Sequence, residues 1–230
     1  MKRFYKTTGV EEVEGGFCVK LDTRALPAPS KVAMTLPTLA LAEAIAGEWE
    51  AQGEKIDAAT MPFMAFAATV VDKIMPNLDH VHETIITYGG TDLLSYWAEA
   101  PERLIKLQYD AWNKHLEWTK SRFSPGLITT AGIVPVAQPD ETLEAFAKAI
   151  VSMNPWQLGG VVELTQVTGS LVLGIAHLEG EASIDELIDC ATVDERFQEE
   201  RWGEDDEALA IRAKKEQDMR NAAAYLALLT

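Results

Sequence analysis

The sequence predicts an α+β protein: a small β-rich N-terminal subdomain followed by a larger, mainly helical domain of orthogonal-bundle character. Two observations carry that prediction. Apolar residues alternate with period two at Phe17, Val19 and Leu21, the spacing of a half-buried strand. From Thr60 onward they recur every three or four residues, as at Phe63, Phe66, Ala67, Val70, Val71 and Ile74, the spacing of a buried helical face. The change of period divides the chain into a β-rich part, 1–58, and a helical part, 59–230. Later strand-like segments near 93–97 and 127–136 are candidates to join the first part.

The N-terminal segment reads as a hairpin, RFYKTTGV and FCVKLD joined by a turn in EEVEGG, because glycine pairs punctuate strands. Pro27, Pro29 and Pro37 restrict the next stretch to short edge strands around Ala25 and from Val32 to Thr35. Thr38 to Gln52 then places Leu41, Ile45 and Trp49 on one helical face, ended by Gly53. The next helix starts behind Thr60-Met61-Pro62 and is expected to stop at Pro76, since proline lacks the amide that a helix interior needs. Another runs from Asn77 to Tyr88 and closes at Gly89-Gly90.

Pro101 opens a long helix expected to bury Leu104, Leu107, Ala111 and Trp118. The segments DLLSYW before it and GLITTAGIVPV after it read as strands or extended links. Asp140 is the expected N-cap of a helix carrying Leu143, Phe146, Ile150 and Val151 on one face. Asn154, Pro155 and Gln157 form a further start signal, with Asn at the cap and Gln placed to cap back. Behind them, Val161 to Leu178 is apolar nearly all round and reads as one helix at the centre of the bundle. Glu163, Gln166 and His177 leave too short an apolar run there to cross a bilayer. The final helix, Asp205 to Leu229, carries acids early and Lys214, Lys215 and Arg220 late, which complements the helix dipole.

With 230 residues, 47% hydrophobic and 24% charged, the chain can bury one large core or two small ones. A formal net charge of −16 argues against nucleic acid as a partner, because phosphate backbones demand a basic face. Acidity leaves a basic partner or plain solubility as its meaning. Cys18 and Cys190 lie far apart and outside any C-x-x-C, so neither a disulfide framework nor a zinc knuckle is indicated. The N-terminal stretch MKRFYKTTGVEEVEGG has neither an apolar signal core nor an Arg/Ser-rich presequence, which predicts an untargeted or already mature chain, cytoplasmic and without membrane insertion.

The familiar catalytic constellations are missing from the sequence. The glycine pairs at 15–16, 89–90 and 159–160 fit neither G-x-G-x-x-G nor a P-loop. His80 and His82 point about 200° apart on a helix, unlike the i, i+4 pair that shares a zinc ion. Ser124 and Ser170 sit in no G-x-S-x-G and have no marked His or Asp partner. No catalytic residue, metal ligand, cofactor or small-molecule substrate is therefore expected.

What stands out instead is Val193 to Glu207, VDERFQEERWGEDDE. Ser183 and Glu186 form a capping box that starts a helix before it. The apolar face Ile184, Leu187, Ile188, Ala191, continued at steps of three and four, reaches Glu195, Gln198 and Trp202. The stripe turns polar, so a carboxylate there is either paired inside the fold, against a cation such as Arg196, Arg201 or Arg212, or faces a partner. Adjacent residues on a helix point apart, which argues against Arg196. Glu199, Glu200, Glu204, Asp205, Asp206 and Glu207 resemble a solvated face. Among six tryptophans, Trp49 and Trp202 neighbour carboxylates, a combination suited to protein interfaces, although Trp49 is expected in the core.

Seven segments occur in order along the chain: RFYK, FCVKLDTRALPAP, LALAEAIAGEWEAQ, IDAATMPFMAFAATVVD, TDLLSYWAEAPERLIKLQYDAWNKHLEW, LGGVVELTQVTGSLVLGIAHLEG and DERFQEERWGEDDE. Together they resemble the ATP synthase assembly chaperones, the family often called ATP-twelve, over almost the whole chain. The resemblance implies a small α/β N-terminal part and a helical C-terminal part. It also implies a chaperone without nucleotide hydrolysis that binds the unassembled alpha subunit of the F-type ATP synthase catalytic head until the beta subunit replaces it. A functional glutamate is implied in D-E-x-x-Q, which falls on Glu195, with Asp194 one register step away. Asp194, Glu195, Gln198 and Trp202 are thus the expected partner-binding residues. The competing reading of the same acidic surface is a permanent structural or regulatory binding module.

Overall fold

The computed structural model describes residues 1–203 and 205–230, and Glu204 of the acidic run lies outside the described residues. The expected hairpin is present as β1 (Thr8–Val13) and β2 (Gly16–Leu21), antiparallel with Thr8 opposite Leu21 and Val13 opposite Gly16. Its turn is shorter than EEVEGG: Glu11 and Glu12 pair with Cys18 and Phe17, leaving only Glu14 and Gly15 as the loop. Gly15 lies at φ 85°, a conformation that L side chains avoid. A Cβ on Gly16 would stand 2.2 Å from the Leu36 carbonyl oxygen, so the close approach of residues 16 and 36 requires glycine. β3 (Arg24–Ala25) completes the sheet in the order β1-β2-β3, and residues 27–36 add only isolated bridges, as the prolines predict.

Thr38 Oγ1 accepts the Leu41 amide at 3.2 Å and starts α1 (Leu39–Glu50), which lies across β1 and β2 and buries Leu41, Ile45 and Trp49 as its spacing predicts. Past a short turn, α2 (Pro62–Thr69) does not end at Pro76. The chain widens into a π-turn over Val70–Ile74, tightens into a 3-10 turn over Met75–Asn77, and runs on as α3 (Leu78–Thr87). The wider turn directly before Pro76 makes room for a ring that a regular helix would clash with, so the proline alters the winding without terminating it.

The strand-like segments at 93–97 and 127–136 shrink to β4 (Tyr96–Trp97) and β5 (Thr130–Ala131), which pair with each other, parallel, in a sheet of their own. Between them runs α4 (Glu102–Arg122), whose buried side chains are Gln108, Trp112, His115 and Thr119, not the expected Leu104, Leu107, Ala111 and Trp118, all of which are half-exposed. Each polar member of the buried stripe that forms a hydrogen bond does so at a distance of 3.0 Å or less. Gln108 accepts the Ala98 amide at 2.8 Å, Trp112 Nε1 donates to the Cys190 carbonyl at 3.0 Å, and Thr119 Oγ1 donates to the His115 carbonyl at 2.6 Å. Satisfied polar groups can be buried at little cost, so the hydrophobic pattern is not decisive on this helix.

In α5 (Asp140–Val151) the N-cap position falls to Pro139, which makes no side-chain cap, with Asp140 already in the first turn, and the helix buries Thr142, Phe146 and Ile150. Asn154 Oδ1 accepts the Trp156 and Gln157 amides at 2.9 and 3.0 Å, and Gln157 Oε1 accepts the Asn154 amide at 3.2 Å, starting α6 (Pro155–Thr168) as expected. The single apolar helix expected over 161–178 is two helices. Gly169 at φ 75° breaks it, and Ser170 Oγ accepts the Leu173 amide at 3.1 Å to start α7 (Leu171–Leu178). Leu171, Val172, Leu173, Ile175 and Ala176 are fully buried. α8 (Ile184–Trp202) and α9 (Asp206–Ala227) end the chain.

The described residues divide into two compact units, one of 1–78, 154–160 and 224–230, the other of 79–153 and 161–223. In the first, α1 packs on β1 and β2 and α2 packs on α1, and Tyr225 stacks on Phe66 with ring centroids 4.6 Å apart and donates to the Trp156 carbonyl at 3.1 Å. In the second, α7 and α8 pack against α4. A small β-rich region with a mainly helical remainder is the α+β architecture predicted. Among the described residues no helix is long and apolar enough to cross a membrane.

Candidate partner-binding groove

α8 begins at the predicted capping box: Ser183 Oγ accepts the Glu186 amide at 3.2 Å and Glu186 Oε2 accepts the Ser183 amide at 2.8 Å. Glu186 also binds Lys114 of α4, and that ammonium together with the Ser183 amide holds its carboxyl down at about 2. The buried side of α8 then runs Leu187, Cys190, Val193 and Phe197 towards α4. Beyond Phe197 no residue of the helix is buried.

The line drawn from the sequence leaves that buried side after Ala191. Of its three polar continuations, Glu195 is half-exposed, Gln198 is exposed and Trp202 is 71% exposed. These three line one groove of roughly 320 Å³, together with Ala208, Ile211 and Lys215 of α9. Asp194 does not join them. One step along a helix is about 100° of rotation, and it turns Asp194 towards α4, where it accepts from Gln108 Nε2 at 2.8 Å. Burial raises the Asp194 pKa, and the Gln108 bond opposes that rise.

Two acid–base pairs join the groove's walls. Glu199 meets Arg212 at 2.6 Å, with only 14% and 21% of their side chains exposed. Glu195 Oε1 accepts from Lys215 Nζ at 2.9 Å, and the same ammonium donates to the Ala191 carbonyl at 2.6 Å. The acids ascend α8 while their bases descend α9, as antiparallel helices require. None of the cations anticipated for Glu195 is its partner: Arg196 binds Asp189, Arg212 binds Glu199, and the Arg201 guanidinium lies 5.4 Å from the Trp202 ring centroid. Among the described residues, Oε2 of Glu195 has no hydrogen-bond partner.

Lys215 and Ile211 escape sequence reasoning, and Arg212, anticipated as a cation for Glu195, pairs with Glu199 instead, because nothing local marks which turns of α9 oppose residues 195 and 199. Ile211, 63% exposed, follows Ala208, Leu209 and Ala210, so no local pattern singles it out. Trp49, by contrast, is 7% exposed and belongs to the core. Chemically the groove combines an exposed indole and an isoleucine with a carboxylate, one oxygen of which has no hydrogen-bond partner among the described residues. That set suits holding a protein surface.

Residues 2–120 match the family model described as ATP12 chaperone protein. The chain is 23% identical over 241 residues to the mitochondrial protein atp12 of Schizosaccharomyces pombe, covering 100% of this chain and 82% of that protein. It is 38% identical to Atp12 from Paracoccus denitrificans, whose crystal structure superposes with a TM-score of 0.95 over 100% of this chain and 98% of that one. A protein from Agrobacterium tumefaciens is 37% identical, with a TM-score of 0.94 over 100% of this chain and 86% of that one. The chain belongs to the ATP12 chaperone family, the ATP synthase assembly chaperones that its ordered segments resemble.

Proposed function

We propose that this chain binds the unassembled alpha subunit of the F-type ATP synthase catalytic head in the cytoplasm, keeps it from aggregating and releases it to the beta subunit. The observation that supports this is the groove of α8 and α9, where Trp202 and Ile211 stand exposed beside Glu195 in a member of a chaperone family. A subunit awaiting its neighbours exposes apolar surface that self-associates, and a chaperone must offer a competing surface. Glu195, Gln198 and Trp202 form that surface, and Asp194 supports it from behind through Gln108. The chain acts by binding alone, without turnover of nucleotide.

The test is light scattering of the purified alpha subunit diluted from denaturant, with and without this protein. Scattering is expected to fall as the protein is titrated to equimolar amounts, and to stay high when Glu195→Lys protein replaces the wild type. Equal aggregation with and without the wild-type protein refutes the reading. Calorimetry with ATP is expected to show no saturable heat, and micromolar binding would contradict action without nucleotide.

A further inference from the structure

We infer that the groove between α8 and α9 takes a basic amphipathic helix of the client, with an apolar side chain against Trp202 and Ile211 and a lysine or arginine on the free oxygen of Glu195. This rests on the chaperone reading and specifies the chemistry of the segment recognised. The walls are two antiparallel helices, so the free surface consists of side-chain ridges and grooves that receive a third helix, with no strand edge to extend. Glu195 and Trp202 are seven residues apart on α8, a rise of about 10 Å. A client helix would therefore set its cation and its apolar anchor about two turns apart.

The charge of the segment follows from which groups are already neutralised. Arg212 is committed to Glu199, and Lys215 to Glu195 Oε1 and the Ala191 carbonyl. Lys215 is thus held by the Ala191 carbonyl as well as by Glu195 Oε1, and Glu195 Oε2 has no hydrogen-bond partner among the described residues. Of the exposed charged groups, Asp205 lines the groove and Asp206 and Glu207 follow it on α9, against Arg201 over the Trp202 ring, while Glu200 is paired with Arg103 on the side of α4. Against a chain of net charge −16, an acidic segment would be repelled and a basic one steered in. The two acids on α8 accordingly have different duties, Glu199 stapling the hairpin and Glu195 reaching the client.

The experiment uses the full chain and a fluorescent amphipathic model helix of Leu and Lys, its Leu/Glu counterpart serving as the charge-reversed control, with affinity read by anisotropy. The Leu/Lys helix should bind, the Leu/Glu helix should not, and raising salt should weaken the complex. Glu195→Gln and Trp202→Ala should each weaken it about tenfold or more, while Asp110→Asn, on α4 and outside the groove, should not. Indifference to both groove substitutions, or equal binding of the two helices, overturns the inference. Melting curves of the two groove variants confirm that they fold. Aggregation assays with the alpha subunit separate the two proposals. Protection by the wild type that persists in both groove variants sinks the groove and leaves the chaperone reading standing, whereas absence of protection by the wild type sinks that reading itself.

Discussion

The Lys215 ammonium bonds Glu195 Oε1 at 2.9 Å and the Ala191 carbonyl at 2.6 Å, so one side chain of α9 holds both a charge and a backbone acceptor of α8. The backbone bond does not depend on Glu195. Losing the glutamate charge therefore leaves α9 attached.

Glu195 and Glu199, one turn apart, should for this reason respond differently to the same change. Glu195→Gln removes a half-exposed ion pair, typically worth about 0–1 kcal/mol. Glu199→Gln strips its partner from Arg212 where both side chains are largely covered, and should cost about 1–3 kcal/mol. Urea denaturation of the two variants checks the order, and a larger loss at Glu195 would contradict it.

Gly159 and Gly47, both helical, should diverge under substitution by alanine. Alanine in a helix normally gains about 1 kcal/mol over glycine. At Gly47 a Cβ meets nothing within 4 Å, so Gly47→Ala should stabilise by about 0.5–1 kcal/mol. At Gly159 it would stand 2.6 Å from Val70 Cγ2, a stiff β-branched neighbour, and overpacking of about 1–3 kcal/mol should exceed the propensity gain. Opposite shifts in melting temperature are the expected result.

Leu171 is fully buried in the first turn of α7. Leu171→Ala should cost about 2–5 kcal/mol through lost burial and the cavity left behind. An unchanged thermal melt would show that the site collapses or that α7 is not central.

Asp92 provides a pH test. It is fully buried and accepts the Val172 and Leu94 amides, each at 3.0 Å, yet burial outweighs these bonds and raises its carboxyl to about 6. An unfolded aspartate titrates near 3.9. The folded state thus binds the proton more tightly, so this group favours folding below about pH 4 and loses that contribution as pH rises to about 6, an effect of roughly 3 kcal/mol. Denaturant stability of the wild type relative to Asp92→Asn should fall across that window. A difference that rises would mean the amide donors prevail over burial.

Several features are legible in the sequence because their cause lies within one turn of chain. The capping box of Ser183 and Glu186, the Asn154 start signal and the buried face of α1 depend on neighbours three or four residues away. The passage of α8's stripe from apolar to polar is equally local, and it marks Glu195, Gln198 and Trp202, which line the groove. Pro76 misleads for a related reason. Its lost amide is a local fact, but the π-turn that absorbs its ring is stabilised by burial of Val70, Val71 and Ile74.

By itself the sequence determined the α+β class, the starts of several helices, the absence of familiar catalytic motifs and the family resemblance, since each depends on residue type and short spacing. Tertiary structure alone decided which face of α4 is buried, because Gln108 and Trp112 find partners in Asp194 and Cys190, 86 and 78 residues away. It likewise decided that Glu195 meets Lys215 and that Ile211 joins Trp202 at one groove. No periodicity encodes these pairings. They depend on how two helices align in space, and a shift of one residue along α9 would turn each partner by about 100° and remove it.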